Sequence, residues 1–270
     1  MEAMEKAMTV ELPGGRLKTE KMPGHWVLAR MGKRVLRPGG MELTRLMLSA
    51  LRITESDDVV EFAPGLGITA RLTLAKGPAS YTAVERDETA AAVVRGYLAG
   101  ERQRCVVGSA AETGLPSGSA SVVYGEAMLT MQTDETKRQI VREAARLLVS
   151  GGRYSIHEMS LRDGVTGDVR KEVERALTGV VHHGVRPLSV SEWRRLLESE
   201  GFVVKSAETA PMALLEPTRV IRDEGFFRAL RFAFNILRDA EARRRVFEMR
   251  RVFRRHRRQV AAVTIMAERP

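Results

Sequence analysis

The sequence has 270 residues, of which 44% are hydrophobic, and this is enough for one large α/β domain with a substantial core. Its only cysteine, Cys105, excludes an internal disulfide framework and a cysteine-cluster metal site. No apolar run reaches about 18 residues, and residues 1–6 are charged with no apolar segment after them. We therefore expect neither a membrane span nor a secretory signal, and we predict a cytoplasmic protein.

The net charge of +10 is concentrated in one segment. Residues 217–258 contain 14 arginines, no lysine and five acidic residues, a local balance of +9, whereas the rest of the chain has a balance of +1. A general nucleic-acid-binding protein more often spreads its positive charge over a whole face. Nucleic acid is therefore an alternative partner that the charge pattern does not favour.

One stretch, a strand followed by a glycine turn and a helix, organises the chain. Residues 58–62 are short, β-branched and apolar, as expected for a central parallel strand, and Gly65 and Gly67 allow a tight turn close to a ligand. The helix predicted over residues 68–75 directs its free N–H groups toward that ligand. Glu85 lies 20 residues beyond Gly65, where nucleotide-binding units place a carboxylate that binds ribose hydroxyls.

The same alternation continues along the chain. Further strands are predicted at residues 81–84, 104–107, 120–124, 154–159, 202–206 and 261–267. Further helices are predicted at residues 44–51, 88–98, 136–148 and 189–200, the last capped by Ser189 or Ser191. Strands and helices in this order indicate a parallel sheet with helices on its faces.

The glycine pattern alone also fits two other interpretations. Gly-x-Gly-x-x-Ala at residues 65–70 matches the dinucleotide fingerprint of a nicotinamide-dependent oxidoreductase, and it can be an ordinary turn between a strand and a helix. None of the four tyrosines is followed four residues later by lysine, so the Tyr-x-x-x-Lys pair of one oxidoreductase family is missing.

A longer set of motifs resembles the class I S-adenosylmethionine-dependent methyltransferases of small-molecule type. Glu-x-Ala-Pro-Gly-x-Gly at residues 61–67 resembles motif I of that family, and Glu85 resembles the acidic residue of its second motif. Residues 144–153 resemble the helix and Gly-Gly turn that precede a later strand. Many members have glycine where this chain has Ala63.

The resemblance spans residues 42–210 and 260–270 and implies the α/β fold of the family. That fold has a seven-stranded, mostly parallel, doubly wound sheet with an antiparallel last strand. The remaining residues then form an N-terminal helical cover and a helical insertion before the last strand.

The resemblance also implies S-adenosyl-L-methionine as the cofactor and identifies candidate residues for binding it. Ser109 stands where the family often has an acidic residue that accepts from the adenine amino group, and the N–H of Ala110 is expected near the adenine ring. Glu126, at a strand end, is expected to face the methyl donor or the acceptor, although a solvated loop carboxylate fits this position as well. The cofactor-binding candidates are Glu61, Ala63, Pro64, Gly65, Gly67, Glu85, Arg86, Ser109, Ala110 and Glu126.

The substrate-binding candidates come from the cover and from strand ends. His25 and Trp26 are candidates for a lid, although Trp26 also fits a core role. Met128 follows a strand end. His157 is a candidate for substrate binding and for catalysis, because a histidine suits proton transfer near neutral pH, and a purely structural histidine fits as well. Residues 182–183, both histidine, are further candidates for the acceptor side, and without a third ligand at suitable spacing we predict no metal.

The segment before the last strand is predicted to form a helical pair that packs against the sheet edge or the lid, with its arginines outward. The arginines of residues 243–258 fit three interpretations: a solvated amphipathic face, contact with an acidic substrate or lipid surface, and contact with a nucleic-acid backbone.

Together these observations predict one methyltransferase domain over residues 1–270. It has a cover at 1–50, a core at 51–210 and 259–270, and a basic helical insertion at 211–258. The predicted function is methyl transfer from S-adenosylmethionine to a small-molecule acceptor by direct in-line displacement, in a monomer or a homodimer. The alternatives are an RNA or protein methyltransferase that uses the arginine-rich helix, and a nicotinamide-dependent oxidoreductase.

Overall fold

A twisted sheet is the centre of the computed structural model, which describes Pro13 and residues 17–270. Apart from Pro13, the part of the predicted cover before residue 17 lies outside these described residues. Eight strands of the described residues form the sheet: β1 Asp58–Phe62, β2 Ser80–Glu85, β3 Gln103–Val107, β4 Ala120–Glu126, β5 Leu148–Leu161, β6 Leu188–Ser189, β7 Val203–Pro211 and β8 Val260–Glu268.

The strand order is β3-β2-β1-β4-β5-β8-β7, and the two-residue β6 pairs with the end of β5. The first five strands pair in parallel, and β8 runs antiparallel between β5 and β7. The predicted mostly parallel α/β sheet with an antiparallel last strand is confirmed, with β6 as an additional short strand. The division of the chain into cover, core and insertion stays a prediction.

The register brings the carboxyl ends of neighbouring strands side by side. Phe62, the last residue of β1, pairs with Val84 on one side and Gly125 on the other. Glu126 at the end of β4 pairs with His157 of β5. Side chains at these ends therefore meet at one edge of the sheet, as parallel pairing requires.

The described residues contain ten α-helices, and several of them begin at capping side chains. Asp87 accepts from the N–H of Ala90, Thr133 accepts from the N–H of Thr136, and Ser189 forms a capping box with Glu192. The helices are α1 Gly24–Arg30, α2 Gly40–Leu51, α3 Ile68–Leu74, α4 Glu88–Arg95, α5 Asp134–Leu147, α6 Gly167–Val181, α7 Val190–Ser199, α8 Pro217–Glu224, α9 Phe226–Arg238 and α10 Ala240–Arg255.

Two predictions about the helices were wrong or incomplete. The predicted helical pair before the last strand is three helices, because Gly225 has a positive φ of 81° and separates α8 from α9. Helix α6 was not predicted, since it buries only three apolar side chains, those of Val173, Leu177 and Val180.

Two of the arginines predicted to point outward are buried. Arg245 of α10 is 3% exposed, and its guanidinium donates to the carbonyl oxygens of Thr19, Glu20, Met22 and Val180. A planar guanidinium with five donors can satisfy four carbonyls at once, which makes burial of this charge tolerable. Arg219 of α8 is also buried and donates to the carbonyl oxygen of Gly39.

The predicted turn before the fifth strand is also different, because residues 149–153 belong to β5. Gly151 has a φ of 76°, and the pairing of β5 with β4 shifts in register between Ala120 and Val122. The Gly-Gly pair therefore marks an irregularity within a long strand, where a turn was expected.

Three apolar cores hold these elements together. Helices α5 and α7 cover one face of the sheet, and α2, α3 and α4 cover the other. The third core joins α1, α6, α9 and α10. We call α1, the loop at residues 31–39 and helices α8–α10 the roof.

In the described part of the chain, the arginine-rich helix α10 of the roof packs closely on both α1 and α6. Among the residues that the structure describes, no helix combines the length and the apolar character that crossing a membrane requires.

Candidate functional site

A cavity of about 510 Å³ lies where the carboxyl ends of the central strands face the roof. Its volume is in the range of small-ligand sites, and its position is where parallel α/β sheets bind ligands. The strand-end half of its wall includes Glu61, Ala63, Pro64, Gly65, Leu66, Ile68, Thr69, Glu85, Arg86, Ser109, Ala110, Glu126 and Met128. The roof half is mostly apolar and includes His25, Trp26, Leu28, Leu36, Met131, Met159, His183, Met212, Leu214, Met249 and Phe253.

The glycine turn between β1 and α3 forms the floor of the strand-end half. Ala63, Gly65 and Gly67 all have positive φ values, of 51°, 57° and 70°. A Cβ on Gly65 would meet nothing within 4 Å, so the turn leaves open space on its cavity side. A Cβ on Gly67 would lie 2.8 Å from the ring of Tyr97, so this second glycine is required by packing.

Ala63 occupies the position where the resembled family often has glycine. It accepts a left-handed backbone conformation, and its N–H donates to the carbonyl oxygen of Val84 at 2.8 Å. A non-glycine residue with positive φ is uncommon, and such residues concentrate at ligand sites where the surrounding structure fixes them. The motif I turn is therefore formed despite the alanine.

Glu85 ties this turn to the end of β2. One carboxylate oxygen accepts from the N–H of Gly65 at 3.0 Å, and the other accepts from the N–H of Asp87 at 3.0 Å. A carboxylate has about four lone-pair positions, so about two remain for a ligand in the cavity that Glu85 lines. The Glu85 carboxylate is thus positioned to bind paired hydroxyl groups.

Glu61 is a buried carboxyl group below the turn. The hydroxyls of Tyr81 and Tyr124 both donate to its Oε2 atom, that of Tyr124 at 2.7 Å. Burial raises the pKa of Glu61 to about 7, although the two tyrosine hydrogen bonds oppose that rise. This carboxyl group therefore loses its proton at a higher pH than an ordinary glutamate does.

Glu126 is held by an ionic network at the end of β4. Burial opposes its ionisation, but the Arg37 guanidinium, 3.4 Å away, and hydrogen bonds from His157 and Thr69 lower the pKa of Glu126 to about 2. Thr44 also donates to this carboxylate, at 2.7 Å. The carboxylate predicted to face the ligand is thus engaged by four side chains.

His157 lies one layer behind the cavity wall. It is fully buried, its Nδ1 atom lies 2.6 Å from Glu126 Oε1, and its Nε2 atom contacts the carbonyl oxygen of Pro38. Both of these neighbours are oxygen acceptors, so each ring nitrogen is occupied by a contact within the protein. The structure does not bring this predicted catalytic and substrate-binding candidate to the cavity, and both nitrogens are already engaged.

Arg86, Ser109 and Ala110 line the far end of the strand-end half. The Ser109 hydroxyl accepts from the N–H of Ala111 at 3.2 Å and keeps its own proton for donation. This end therefore offers a serine hydroxyl where the resembled family often has a carboxylate.

His25, Trp26 and Met128 all lie on the cavity wall, so the structure brings these substrate-binding candidates together. The rings of His25 and Trp26 have centroids 4.6 Å apart. Burial, together with the nearby His183, lowers the pKa of His25 to about 4, so its ring is neutral at pH 7. His183 also lines the cavity, whereas His182 is an exposed residue at the end of α6.

Several wall residues were not identified from the sequence. Arg37 lies in the loop before α2, and nothing in the sequence linked it to Glu126. Met249 and Phe253 of the roof half have helical spacing that indicates a core as readily as a cavity wall. Among the described residues, no group of three or more His, Cys, Asp or Glu side chains is arranged to hold a metal ion.

Comparison with known proteins identifies relatives of this chain. A family described as "Methyltransferase domain" matches residues 60–156, which include the glycine turn, Glu85 and Glu126. An uncharacterized protein of Haemophilus influenzae is 30% identical over 235 residues, covering 85% of this chain and 91% of its own length.

Two solved structures share the fold at low sequence identity. The [4+2]-cyclase SpnF has a TM-score of 0.67 and 15% identity, over 90% of this chain and 92% of its own. Geranyl diphosphate methyltransferase in complex with SAM has a TM-score of 0.61 and 14% identity, over 84% of each chain.

The cofactor implied by the family fits the strand-end half. The open space beside Gly65 leaves room for a ligand, and the carboxylate of Glu85 and the polar groups at Ser109 and Ala110 suit a ribose and an adenine ring. S-adenosylmethionine is therefore the cofactor of this protein, and the chain belongs to the class I S-adenosylmethionine-dependent methyltransferase family.

Proposed function

We propose that this protein transfers a methyl group to a small, largely apolar acceptor molecule. The observation that supports this proposal is the continuity of the cavity: the glycine turn and Glu85 lie in one half, and an apolar chamber lies in the other. A cavity of this size encloses a cofactor and a small acceptor more readily than a segment of RNA or protein.

The residues of the strand-end half have separate roles in this proposal. Glu85 binds the ribose hydroxyls, Ser109 and the backbone at Ala110 bind the adenine, and Gly65 provides the open wall between them. Bound S-adenosylmethionine supplies an activated methyl group that passes directly to the acceptor, in line with the leaving sulfur. Because the cofactor carries the reactive group, the protein mainly orients the two molecules and excludes water.

The roof half provides the acceptor site. Its methionine and aromatic side chains bind an apolar body, and methionine adapts to irregular shapes. His25 lies on the wall and its ring is neutral at pH 7, so it can accept a hydrogen bond from a polar group of the acceptor molecule. For His157 we propose a positioning role, in which it fixes Glu126 and, through Pro38, the loop that precedes α2.

The two earlier alternatives make different predictions. An RNA or protein methyltransferase would place label from the cofactor in a macromolecule, and a nicotinamide-dependent oxidoreductase would bind a nicotinamide cofactor. The burial of Arg219 and Arg245 removes two arginines from the surface that a nucleic acid could contact. As predicted from the sequence, we propose that the reaction takes place in the cytoplasm.

The proposal is tested by incubating the protein with methyl-tritiated S-adenosylmethionine and an extract of its own cells. We expect label in the fraction that passes a small-pore filter, and no such label with the Glu85→Ala variant. Label retained with protein or RNA, and released by protease or nuclease, would support the alternative acceptors. Tight binding of a nicotinamide cofactor without binding of S-adenosylmethionine would contradict the proposal.

A further inference from the structure

Helix α9 exposes a row of large apolar side chains on the outside of the roof. The exposed fractions are 63% for Phe226, 83% for Phe227, 59% for Leu230, 54% for Phe234 and 61% for Leu237. Single exposed apolar residues are common on protein surfaces, but a contiguous group of this size usually marks an interaction site.

These five side chains occupy one side of the helix. At 3.6 residues per turn they fall within about 100° of its circumference. The opposite side carries Ala229, Phe232 and Ile236, which are buried in the core of the roof. A surface helix normally has one apolar side, so α9 has a second one that the folded chain leaves exposed.

The helix is also positively charged. It contains Arg228, Arg231 and Arg238 and no acidic residue. Arg228 lies 3.6 Å from Glu224, whereas Arg231 and Arg238 form no ion pair within 4 Å with any described residue. The Arg238 guanidinium lies 5.3 Å from the centroid of the Phe234 ring, so charge and aromatic surface are adjacent.

The combination of charge and apolar surface decides between partners. In a symmetric pair of identical chains, the arginines of one α9 would approach those of the other, which opposes association. An anionic lipid surface attracts the arginines and accepts the phenylalanine and leucine side chains at its acyl boundary. We propose that the exposed side of α9 binds this protein to an anionic membrane surface.

The exposed side of α9 lies on the outside of the roof that covers the cavity. The side chain of Asn235 in α9 donates to the carbonyl oxygen of Met31 at 2.9 Å, and the loop that follows Met31 carries Leu36 of the roof half. A membrane bound to α9 would therefore lie on the outside of the layer that covers the apolar chamber. Membrane binding itself is independent of the proposed methyl transfer.

The proposal is tested by sedimentation of the full chain with lipid vesicles. We expect binding to vesicles that contain phosphatidylglycerol and much weaker binding to phosphatidylcholine alone. Phe227→Ser with Phe234→Ser should weaken binding at least about tenfold, and Arg231→Gln with Arg238→Gln several-fold. Val169→Ser, which removes an apolar side chain 49% exposed on α6, is the matched control and should bind as the parent does.

All variants should keep the thermal unfolding temperature of the parent, because the substituted side chains are exposed.

Absence of binding, binding unchanged by the phenylalanine substitutions, or equal binding to neutral vesicles would overturn the proposal. A dimer in solution that the phenylalanine substitutions dissociate would show that a second copy covers the helix. Tight RNA binding that only the arginine substitutions remove would also overturn it. No cofactor or acceptor is present, so this result is separate from that of the methyl-transfer assay.

Discussion

Glu85 is the residue on which cofactor binding depends most directly. Its carboxylate accepts from Gly65 and Asp87 and lines the cavity, so Glu85→Ala removes both the support of the turn and the ribose acceptor. We expect the dissociation constant of S-adenosylhomocysteine to rise at least about tenfold, since a charge-assisted hydrogen bond contributes about 1.5–3 kcal/mol. Isothermal titration calorimetry measures this constant.

The matched control for that measurement is Glu88→Ala. Glu88 is exposed, lies in the first turn of α4 and pairs with Arg95, away from the cavity wall. Its substitution should leave the dissociation constant unchanged. Equal constants for the parent and the Glu85→Ala variant would contradict the assigned role of this carboxylate.

Glu61 gives the protein a pH-dependent stability. Because burial raises its pKa from an ordinary 4.5 to about 7, the folded state binds a proton between these values that the unfolded state releases. The stability from this group is present below pH 4.5 and is lost as pH rises to about 7. Glu61→Gln keeps an acceptor for both tyrosine hydroxyls and carries no charge, so its free energy of unfolding should not fall over this pH range for this reason.

Urea unfolding of both proteins at about pH 5 and about pH 8 tests this expectation. The free energy of unfolding of the parent, relative to Glu61→Gln, should fall by about 2–3 kcal/mol between the two pH values. Glu101→Gln, at an exposed position, should show no such difference. Parallel pH profiles for the parent and Glu61→Gln would show that Glu61 has an ordinary pKa.

The sequence allowed prediction of the strand-end half because its residues belong to one local motif. Gly65, Gly67 and Glu85 stand at spacings that a strand, turn and helix impose. The contact of Arg37 with Glu126 and the burial of His157 depend on how the cover docks on the sheet. No local pattern contains that information, and His157 therefore resembled a free base.

At the scale of elements, strands were easier to predict than the helices of the roof. Buried parallel strands appear as short apolar runs, and most strand positions agree with the structure. Helix α6 has few buried apolar residues, and the division between α8 and α9 depends on the conformation of Gly225. Helices defined mainly by packing on other helices lack such a clear sequence signal.

The loop before α2 is held in place by the end of α8. Glu224 Oε1 accepts from the backbone N–H groups of Arg34 and Val35 at 2.7 and 2.8 Å, and lies 3.7 Å from the buried ammonium of Lys33. Glu224→Ala removes these contacts and leaves Lys33 without its carboxylate. We expect a loss of about 3 kcal/mol in the free energy of unfolding, because breaking a buried pair leaves an uncompensated charge.

Limited trypsin digestion followed by mass spectrometry measures the local part of this effect. The Glu224→Ala variant should be cleaved after Lys33 or Arg34 much faster than the parent. Glu42→Ala is the control. Glu42 also joins α2 to α8, through ion pairs with Arg219 and Arg222, but its side chain is 56% exposed. It should cost less than about 1 kcal/mol. Equal cleavage of both variants would show that Glu224 does not fix the loop.

At the scale of the whole molecule, the roof and the sheet form one site from distant parts of the chain. The third core joins α1 with α9 and α10, and the Arg37–Glu126 contact joins the loop after α1 to the sheet. The arginine-rich segment is therefore part of the cavity roof as well as a charged surface. The sequence predicted the charge of this segment and its packing against the sheet edge or the lid, whereas the contacts that place Met249 and Phe253 on the cavity wall depend on tertiary packing.

A ligand that binds between roof and sheet should stabilise the whole fold. At a concentration of S-adenosylhomocysteine about 100 times its dissociation constant, binding contributes about 2.7 kcal/mol. For a chain of this size that corresponds to a rise of about 5–10 °C in the unfolding temperature. NADH at the same concentration should produce no rise, since the proposed function uses no nicotinamide.

The Glu85→Ala variant makes this thermal measurement quantitative. With about tenfold weaker binding at the same ligand concentration, the stabilisation falls to about 1.4 kcal/mol, and the temperature shift should fall to about half. Glu88→Ala should show the full shift. A ligand enclosed between the roof and the sheet must favour the folded state, in which these two layers are joined. The assignment of the cavity to this cofactor would therefore be contradicted by an unfolding temperature of the parent that is the same with and without S-adenosylhomocysteine. Stabilisation by NADH instead would contradict it as well.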